Sequence, residues 1–239
     1  MRLLWRRHLS NNGGISMERF AASWSGGKDS ALAFYRARLA GLEVSRLLTI
    51  FDDQGLTRSH RIPRLIIKKQ AEAIGLPFVE GVASWETYED EFKRILGELR
   101  KEGFTGCVFG DIDLPEHLAW CQRVCSEVGL SAVHPLWGER QEDLVEEFVR
   151  LGFQAVIVVV RLEKLGVEFL GRVLDESLLQ EFKDMEISPG GELGEYHTLV
   201  VAGPVFQNPV IDDYSSLSAL RRIVHQGYGF LDLASLNLR

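Results

Sequence analysis

The sequence predicts an α/β fold in which a doubly wound parallel β-sheet is followed by a smaller C-terminal α/β unit. Through the first half of the 239-residue chain, short apolar runs alternate with longer segments of helical periodicity, and helical crossovers of that length connect parallel strands. A glycine-rich loop lies at the first junction between a predicted strand and a predicted helix, which is where such sheets bind ligands.

The elements of the first half follow from apolar runs that are bounded by glycine and proline. Pro63 opens the second helix, and Gly41 and Gly75 end the first two helices, because glycine readily adopts the left-handed conformation that follows a helix. The predicted strands cover residues 19–25, 45–51, 78–82, 105–110 and 132–135. The predicted helices cover residues 29–39, 63–74, 87–102 and 117–128.

After residue 137 the pattern changes to a second unit that has strands but no second glycine-rich loop of this kind. A charged helix over residues 139–151 is followed by strands over 154–160 and 198–202, with the glycine-punctuated segment FLGRVLDESLL between them and an extended segment over 228–233. We therefore divide the chain into a first domain over 17–137 and a second unit with its tail over 138–239. Residues 1–16 carry three arginines and no acid and are expected to form a disordered extension.

The net charge and the length of the longest apolar stretch argue against two kinds of partner, nucleic acids and membranes. The chain has 27 Lys+Arg against 34 Asp+Glu and a net charge of −7, which argues against general nucleic-acid binding because that affinity comes mostly from basic side chains. An anionic ligand must therefore be bound by a local feature. The longest apolar stretch, residues 155–160, is far shorter than the ~20 residues that span a bilayer, so we expect no membrane partner.

The three cysteines are an odd number and indicate free thiols in a reducing, cytoplasmic setting. Cys121 and Cys125 are four residues apart on a predicted helix and could share a face. A metal site would need further ligands, and no CxxC or Cys/His cluster supplies them. We interpret the cysteines as buried small hydrophobic side chains.

The glycine-rich loop carries the strongest functional signal. Its glycines let backbone N–H groups turn inward, and the positive end of the following helix favours an anion. A lysine adds a positive charge and two serines add hydroxyl groups, while the spacing of a Walker A motif is absent. The loop consists of Ser25, Gly26, Gly27, Lys28, Asp29 and Ser30.

The loop SGGKDS is similar to the signature loop of the N-type ATP pyrophosphatases of the PP-loop superfamily. Further blocks resemble the diphthine–ammonia ligase family and its bacterial relatives, and together they cover most of residues 19–210. The resemblance implies a HUP-like sheet of the adenine nucleotide alpha hydrolase type, and a ligase that uses ATP and Mg²⁺ to adenylate a carboxylate before ammonia displaces AMP. The blocks read RSHRIPRLIIKKQAEAIGLP, VFGDI, PLWG, GFQAVIVVV and GELGEYHTLVVAGPVF.

The resemblance also implies which residues bind ATP. Lys28 and Asp29 would act on the phosphates, and Asp29 either helps to hold Mg²⁺ or caps the first helix. The adenine would lie against Ile50 and Phe51 at the end of the second strand. His60 either contacts the nucleotide or is an exposed loop histidine.

The remaining predicted residues lie after the fourth strand and in the acidic turn, and of these Gly110 is assigned to nucleotide binding and Asp111 to catalysis. Gly110 and Asp111 end the fourth strand at the edge that carries the loop, where Asp111 would bind metal or the substrate amine. The acidic turn either forms part of the substrate site, where its carboxylates hold a cationic group or position ammonia, or is a hairpin with solvated acids. This turn contains Glu192, Gly194, Glu195, Tyr196 and His197.

The acyl substrate stays open at this point. The turn reads GELGEYHT, with Leu193 inserted, where the ligase pattern reads closer to EGGEYET, and this form resembles the bacterial branch. The resemblance implies diphthine on an elongation factor for an archaeal or eukaryotic protein and another small acid for a bacterial one.

Two other function classes stay as alternatives. A sulfur-transferring tRNA modifier of the same superfamily is disfavoured by the absence of paired cysteines and of a basic surface. A non-catalytic adenine-nucleotide-binding module would carry the same loop. Base rates favour a homodimer.

Overall fold

The computed structural model describes residues 18–211 and 213–236, so the predicted extension over 1–16 lies outside the described residues. The first sheet has five parallel strands in the order β3-β2-β1-β4-β5, which confirms the predicted doubly wound α/β fold. Its strands are β1 Arg19–Ser23, β2 Glu43–Phe51, β3 Phe78–Val82, β4 Phe104–Val108 and β5 Ser131–Val133. The helices that connect them are α1 Lys28–Leu39, α2 Arg64–Ile74, α3 Tyr88–Lys101 and α4 Pro115–Glu127.

The strand order creates a crevice at one edge of this sheet. The chain moves outward from β1 through β2 to β3 and then returns to place β4 on the other side of β1. The loops that leave β1 and β4 therefore diverge, and ligands of open α/β sheets bind at such a switch point. The glycine-rich loop follows β1, so the fold brings it to this crevice.

The second unit forms a four-stranded sheet in the order β7-β6-β9-β8, and all of its pairs are antiparallel. Two of its elements were not predicted. The helix α6 begins inside the segment interpreted only as glycine-punctuated and extends beyond it to Asp184. Asp175 caps this helix by accepting a hydrogen bond from the Leu178 amide at 2.8 Å. The strand β8 is short and has exposed side chains. The elements are α5 Gln141–Arg150, β6 Gln154–Arg161, α6 Glu176–Asp184, β7 Tyr196–Ala202, β8 Arg222–His225 and β9 Tyr228–Leu231.

One hydrophobic core joins the two units. It runs from α1 and α2 through β6 to β7 and α6, and the rings of Tyr35 and Phe153 meet edge to face across it with centroids 6.0 Å apart. Arg36 on α1 also pairs with Glu139, just before α5, and with Glu147 on α5. The second sheet is thereby fixed against the helix that begins at the glycine-rich loop.

A second core lies between the first sheet and α3 and α4. It contains Phe92, Phe104 and all three cysteines, and the thiols are buried and free as expected. Within the described part of the chain, every helix is too short or too polar to cross a bilayer.

Candidate functional site

A cavity of about 610 Å³ opens at the carboxyl edge of β1 and β4. The glycine-rich loop forms one wall, the turn before β7 forms the opposite wall, and α3 and α4 extend the cavity with aromatic side chains. Of the predicted site residues, the lining includes Ser25, Lys28, Asp29, Ser30, His60, Gly110, Asp111, Glu192, Tyr196 and His197.

The loop turns sharply into α1. Gly26 has φ of +83°, a conformation that a residue with a Cβ rarely adopts, and Gly27 occupies the N-cap of α1 with no side-chain cap. The Ser25 hydroxyl accepts a hydrogen bond from the Gly27 amide at 3.3 Å and donates to the Ser30 hydroxyl at 3.1 Å. The first amides of a helix have no partner within the helix, so this turn presents donors and the positive end of α1 to the cavity.

Two residues outside the loop hold it in place. Gln70 on α2 is fully buried; it accepts a hydrogen bond from the Trp24 indole at 2.8 Å and donates to the carbonyls of Gly26 and Val200 at 3.1 and 2.7 Å. The hydroxyl of Thr198 on β7 accepts from the Lys28 amide at 3.1 Å. Sequence reasoning missed both residues in this role, although each lies in a block that was matched to the family.

Lys28 is buried and joins the two walls. Its ammonium group donates to the Asp29 carboxylate at 2.8 Å and to the carbonyl of Gly190. Burial alone would lower the pKa of Lys28, but the negative charge of Asp29, which also accepts a hydrogen bond from the ammonium group, outweighs it and holds the pKa above its ordinary value. The side chain is therefore a fixed cation at neutral pH.

The structure excludes one of the two roles predicted for Asp29, namely capping of the first helix. Gly27 is the N-cap, and Asp29 lies inside the first turn of α1, so the interpretation of Asp29 as the capping residue is wrong. Its carboxylate is paired with Lys28 at the cavity wall.

Glu192 supplies a second acidic group on the opposite wall. Burial, followed by the negative charge of Asp29, raises the pKa of Glu192 to about 8, so the group is mostly protonated at neutral pH. The acidic turn is therefore not a hairpin of solvated acids. Glu195 is buried outside the cavity lining, where it accepts a hydrogen bond from the Leu193 amide at 3.1 Å, and Gly194 also lies outside the lining.

Two histidines lie between the walls. The His60 and His197 rings have centroids 4.8 Å apart, and Nδ1 of His60 is 2.8 Å from the carbonyl oxygen of Thr198. Burial lowers the pKa of both histidines, so both rings are neutral at neutral pH. His60 belongs to the cavity wall and is not an exposed loop histidine. Tyr196 completes this wall, with its hydroxyl donating to the carbonyl of Pro189.

The residues predicted to contact adenine do not reach the cavity lining. Phe51 is fully buried and packs edge to face against Phe78 with ring centroids 6.1 Å apart, and Ile50 lies in the core under α3. Their contact with adenine stays a prediction. Gly110, in contrast, touches the loop directly, since a Cβ added there would lie 2.9 Å from backbone atoms of Asp29 and Ser30.

The far end of the cavity holds a group of possible metal ligands. Asp111 follows β4, and its Oδ2 lies 3.5 Å from Sγ of Cys121 and 3.7 Å from Nε2 of His134. These three ligand atoms lie within 4.8 Å of one another, and Nδ1 of His117 is 3.4 Å from Oδ1 of Asp111. The expectation that no Cys/His cluster is present is therefore wrong, because β5 brings His134 beside α4 across the sheet edge.

Comparisons with known proteins agree on one family. The sequence model described as the diphthamide synthase N-terminal domain matches residues 18–132, and the one described as the diphthamide synthase C-terminal domain matches residues 140–235. The diphthine–ammonia ligase of Rattus norvegicus is 27% identical over 92% of this chain and 90% of its own length. The corresponding protein of Homo sapiens is 26% identical over 91% of this chain and 90% of its own length.

Two further matches are partial. The diphthine–ammonia ligase of Schizosaccharomyces pombe is 36% identical over 38% of this chain and 15% of its own length. A solved U34-tRNA thiolase from Methanococcus maripaludis aligns with a TM-score of 0.36 and 15% identity, over 59% of this chain and 60% of that one. A TM-score this low carries no argument about the present chain.

Proposed function

Since the chain belongs to the diphthamide synthase family, we propose that it is an ATP-dependent, AMP-forming ligase that adenylates a carboxylate and converts it to an amide with ammonia. The proposed acceptor is diphthine, the substrate in the names of its relatives. The alternative acceptor is another small carboxylic acid, which would be activated at the same site.

One observation carries the proposal: an anion-binding loop and an acidic turn face each other across a single cavity. The loop offers helix amides and a buried cation for phosphate, while the turn offers Glu192 beside Asp29. A site that only bound a nucleotide would have no use for this second, acidic wall. A ligase needs both, because it must bring a nucleotide, an acid and an amine together.

The residues of the loop suit the first half of the reaction. A carboxylate oxygen would attack the α-phosphorus of ATP, the bond to pyrophosphate would break, and an acyl-adenylate would form. Negative charge grows on the phosphates in this step, and fixed donors in a sheltered site stabilise such charge most effectively. The Lys28 ammonium group and the amides of Asp29 and Ser30, which follow the Lys28 amide that donates to Thr198, are those donors.

Mg²⁺ fits the acidic side of the same cavity. The Asp29 carboxylate lies at the cavity wall beside the loop, and carboxylate oxygens together with substrate phosphates are the ligands that Mg²⁺ prefers. Asp29 would hold the ion. When bound, Mg²⁺ would neutralise charge on the phosphate oxygens.

The acidic wall also suits the second half of the reaction. Ammonia would attack the activated carbonyl carbon, AMP would leave, and one proton must be removed from the nitrogen. The ionised form of Glu192 would take this proton, because a carboxylate whose pKa is raised to about 8 is a stronger base than an ordinary one, and the ionised fraction grows as the pH rises toward 8. The neutral rings of His60 and His197 line the same cavity.

The proposal is tested by the products of ATP turnover and their dependence on an acceptor. The protein is incubated with ATP, Mg²⁺ and ammonium, with and without an elongation factor that carries diphthine or a panel of small acids, and AMP, pyrophosphate and amide are measured. We expect AMP and pyrophosphate to form in equal amounts and only with an acceptor. Acceptor-independent release, or no release with any acceptor, would sink the ligase assignment and favour a nucleotide-binding module.

A matched pair of lysine variants tests whether ATP turnover depends on the loop. Lys28→Ala removes the buried cation and should lower turnover by about 10²–10³-fold, the usual effect of removing one donor to a charged transition state. Lys68 is exposed on α2, so Lys68→Ala should turn over like the wild type. Equal turnover by the two variants would show that the loop lysine has no role in the reaction.

A further inference from the structure

Three different metal-ligating side chains meet at the end of the cavity away from the acidic turn. Asp111 leaves the end of β4, His134 leaves the end of β5, and Cys121 points toward them from the middle of α4. His117 is one helical turn before Cys121, and residues four apart on a helix share a face. The proposed ligase reaction assigns no role to the thiol or to His134.

The distances match those of a tetrahedral site. Bonds of about 2.0–2.3 Å from a zinc ion to oxygen, nitrogen and sulfur place neighbouring ligand atoms about 3.3–3.6 Å apart. The observed separations from Oδ2 of Asp111 are 3.5 Å to the Cys121 sulfur and 3.7 Å to the His134 nitrogen. The third edge, from the Cys121 sulfur to the His134 nitrogen, is within 4.8 Å and would close to about 3.5 Å when the ion binds.

The histidine provides an independent observation. The His134 side chain is 5% exposed, and its Nε2 has no hydrogen-bond partner among the described residues. A buried polar atom without a partner destabilises the folded state unless something else pairs with it. The ring is nevertheless held in place by stacking on Phe109, with centroids 5.3 Å apart and planes 14° from parallel. A nitrogen that is buried, unpaired and fixed toward Asp111 and Cys121 is typical of a metal ligand.

The donor set selects the kind of metal. A thiolate and an imidazole suit Zn²⁺ and its borderline neighbours such as Co²⁺, whereas Mg²⁺ requires oxygen donors. We propose that Asp111, Cys121 and His134 bind one divalent ion of the zinc type. Binding replaces the thiol proton of Cys121, which leaves to solvent, and the carboxylate of Asp111 turns from hydrogen-bond acceptor to ligand.

The site is an open one. Asp111, Cys121 and His117 all line the cavity, so the fourth position of the ion faces the space that receives the substrates. Water, the imidazole of His117 or a carboxylate or amine of the substrate can fill it. The ion is separate from the Mg²⁺ proposed at Asp29, and the proposal of this site goes beyond the ligase function.

Cobalt titration of the full chain tests the site without any turnover assay. Co²⁺ bound to a thiolate in tetrahedral geometry gives intense visible bands and a near-ultraviolet charge-transfer band. We expect one equivalent of Co²⁺ to produce both, Zn²⁺ to displace it, and a large excess of Mg²⁺ to leave it unchanged. A wild-type spectrum without the charge-transfer band, or displacement by Mg²⁺, would overturn the proposal.

Variants assign the ligands. Cys121→Ser and His134→Phe should each weaken Co²⁺ binding at least about 10-fold, since even residues that only support metal ligands contribute 10–100-fold. Cys125→Ala, one turn further along α4, removes a buried thiol outside the cluster and should bind like the wild type. Circular dichroism checks that each variant folds, and Asp111→Asn provides a third test at a partly exposed position. Wild-type affinity in Cys121→Ser or His134→Phe would refute the site, whatever the outcome of the ligase assays.

Discussion

The contact between Gly110 and the loop allows a test of how strongly turnover depends on the position of the loop. Gly110 follows β4, and a Cβ added to it would lie 2.9 Å from the carbonyl carbon of Asp29 and the amide nitrogen of Ser30. Ordinary contact begins at 3.4 Å. Because both contacts are to backbone, no side chain can rotate away, and Gly110→Ala must move the loop and the strand end apart by about 0.5 Å, the difference between these two distances.

A shift of this size should affect turnover more than folding. A misplacement of 1 Å costs about 10²-fold in rate, so 0.5 Å should lower kcat/KM for ATP about 10-fold, while overpacking costs about 1–3 kcal/mol of stability. The assay is AMP formation with acceptor and ammonium, with urea denaturation run in parallel. Unchanged kcat/KM in a folded Gly110→Ala protein would refute the claim that this contact positions the loop.

Gly97 provides the matched control. It lies within α3, and a Cβ added there meets nothing within 4 Å. Gly97→Ala should leave kcat/KM unchanged and raise stability by about 0.5–1 kcal/mol, because alanine has the higher helix propensity. A loss of turnover in this variant would show that the assay reports general perturbation of the first domain.

Three further predictions concern the two walls and their connection. The pKa of Glu192 is raised from 4.5 to about 8 in the folded protein, so the stability that its proton provides is full below its unfolded pKa and is lost as the pH rises through 8. The Tm of the wild type should therefore fall relative to that of Glu192→Gln between about pH 4.5 and about pH 8 and run parallel to it at higher pH, whereas curves that are parallel from pH 4.5 to pH 8 would contradict the raised pKa. Thr198→Val leaves the buried Lys28 amide without its acceptor and should cost about 1–3 kcal/mol in urea denaturation; no loss would mean that this hydrogen bond does not hold the loop. Gln70→Leu leaves a buried indole and two buried carbonyls without this partner and should lower stability by at least about 2 kcal/mol, whereas a loss below about 0.5 kcal/mol would show that they find other partners.

Periodicity and glycine signals predict most of the first sheet, since its elements are set by local patterns. Gly75 has φ of +77° at the end of α2, as its position after an apolar helical face indicates. The sequence does not predict α6, because Gly171 lies a few residues before the capping residue Asp175 and makes the segment resemble a turn. The exposed strand β8 carries no apolar alternation and gains its place by pairing with β9.

The loop was identified from sequence because its six residues are consecutive. The parts of the site that depend on tertiary packing could not be identified in this way. Gln70 and Thr198 are 44 and 170 residues from their partners in the loop, and no short spacing links them. His134 reaches Asp111 only because β4 and β5 are neighbours in the sheet.

The proposal that ATP adenylates the acceptor carboxylate is tested most directly by following the transfer of oxygen from the acid to AMP. The acceptor is labelled with ¹⁸O in its carboxylate and incubated with the protein, ATP, Mg²⁺ and ammonium, and AMP and the amide are analysed by mass spectrometry. Adenylation at the loop predicts that each AMP carries one ¹⁸O and that the amide retains the other. Unlabelled AMP, or label recovered in inorganic phosphate together with ADP, would contradict the proposed reaction.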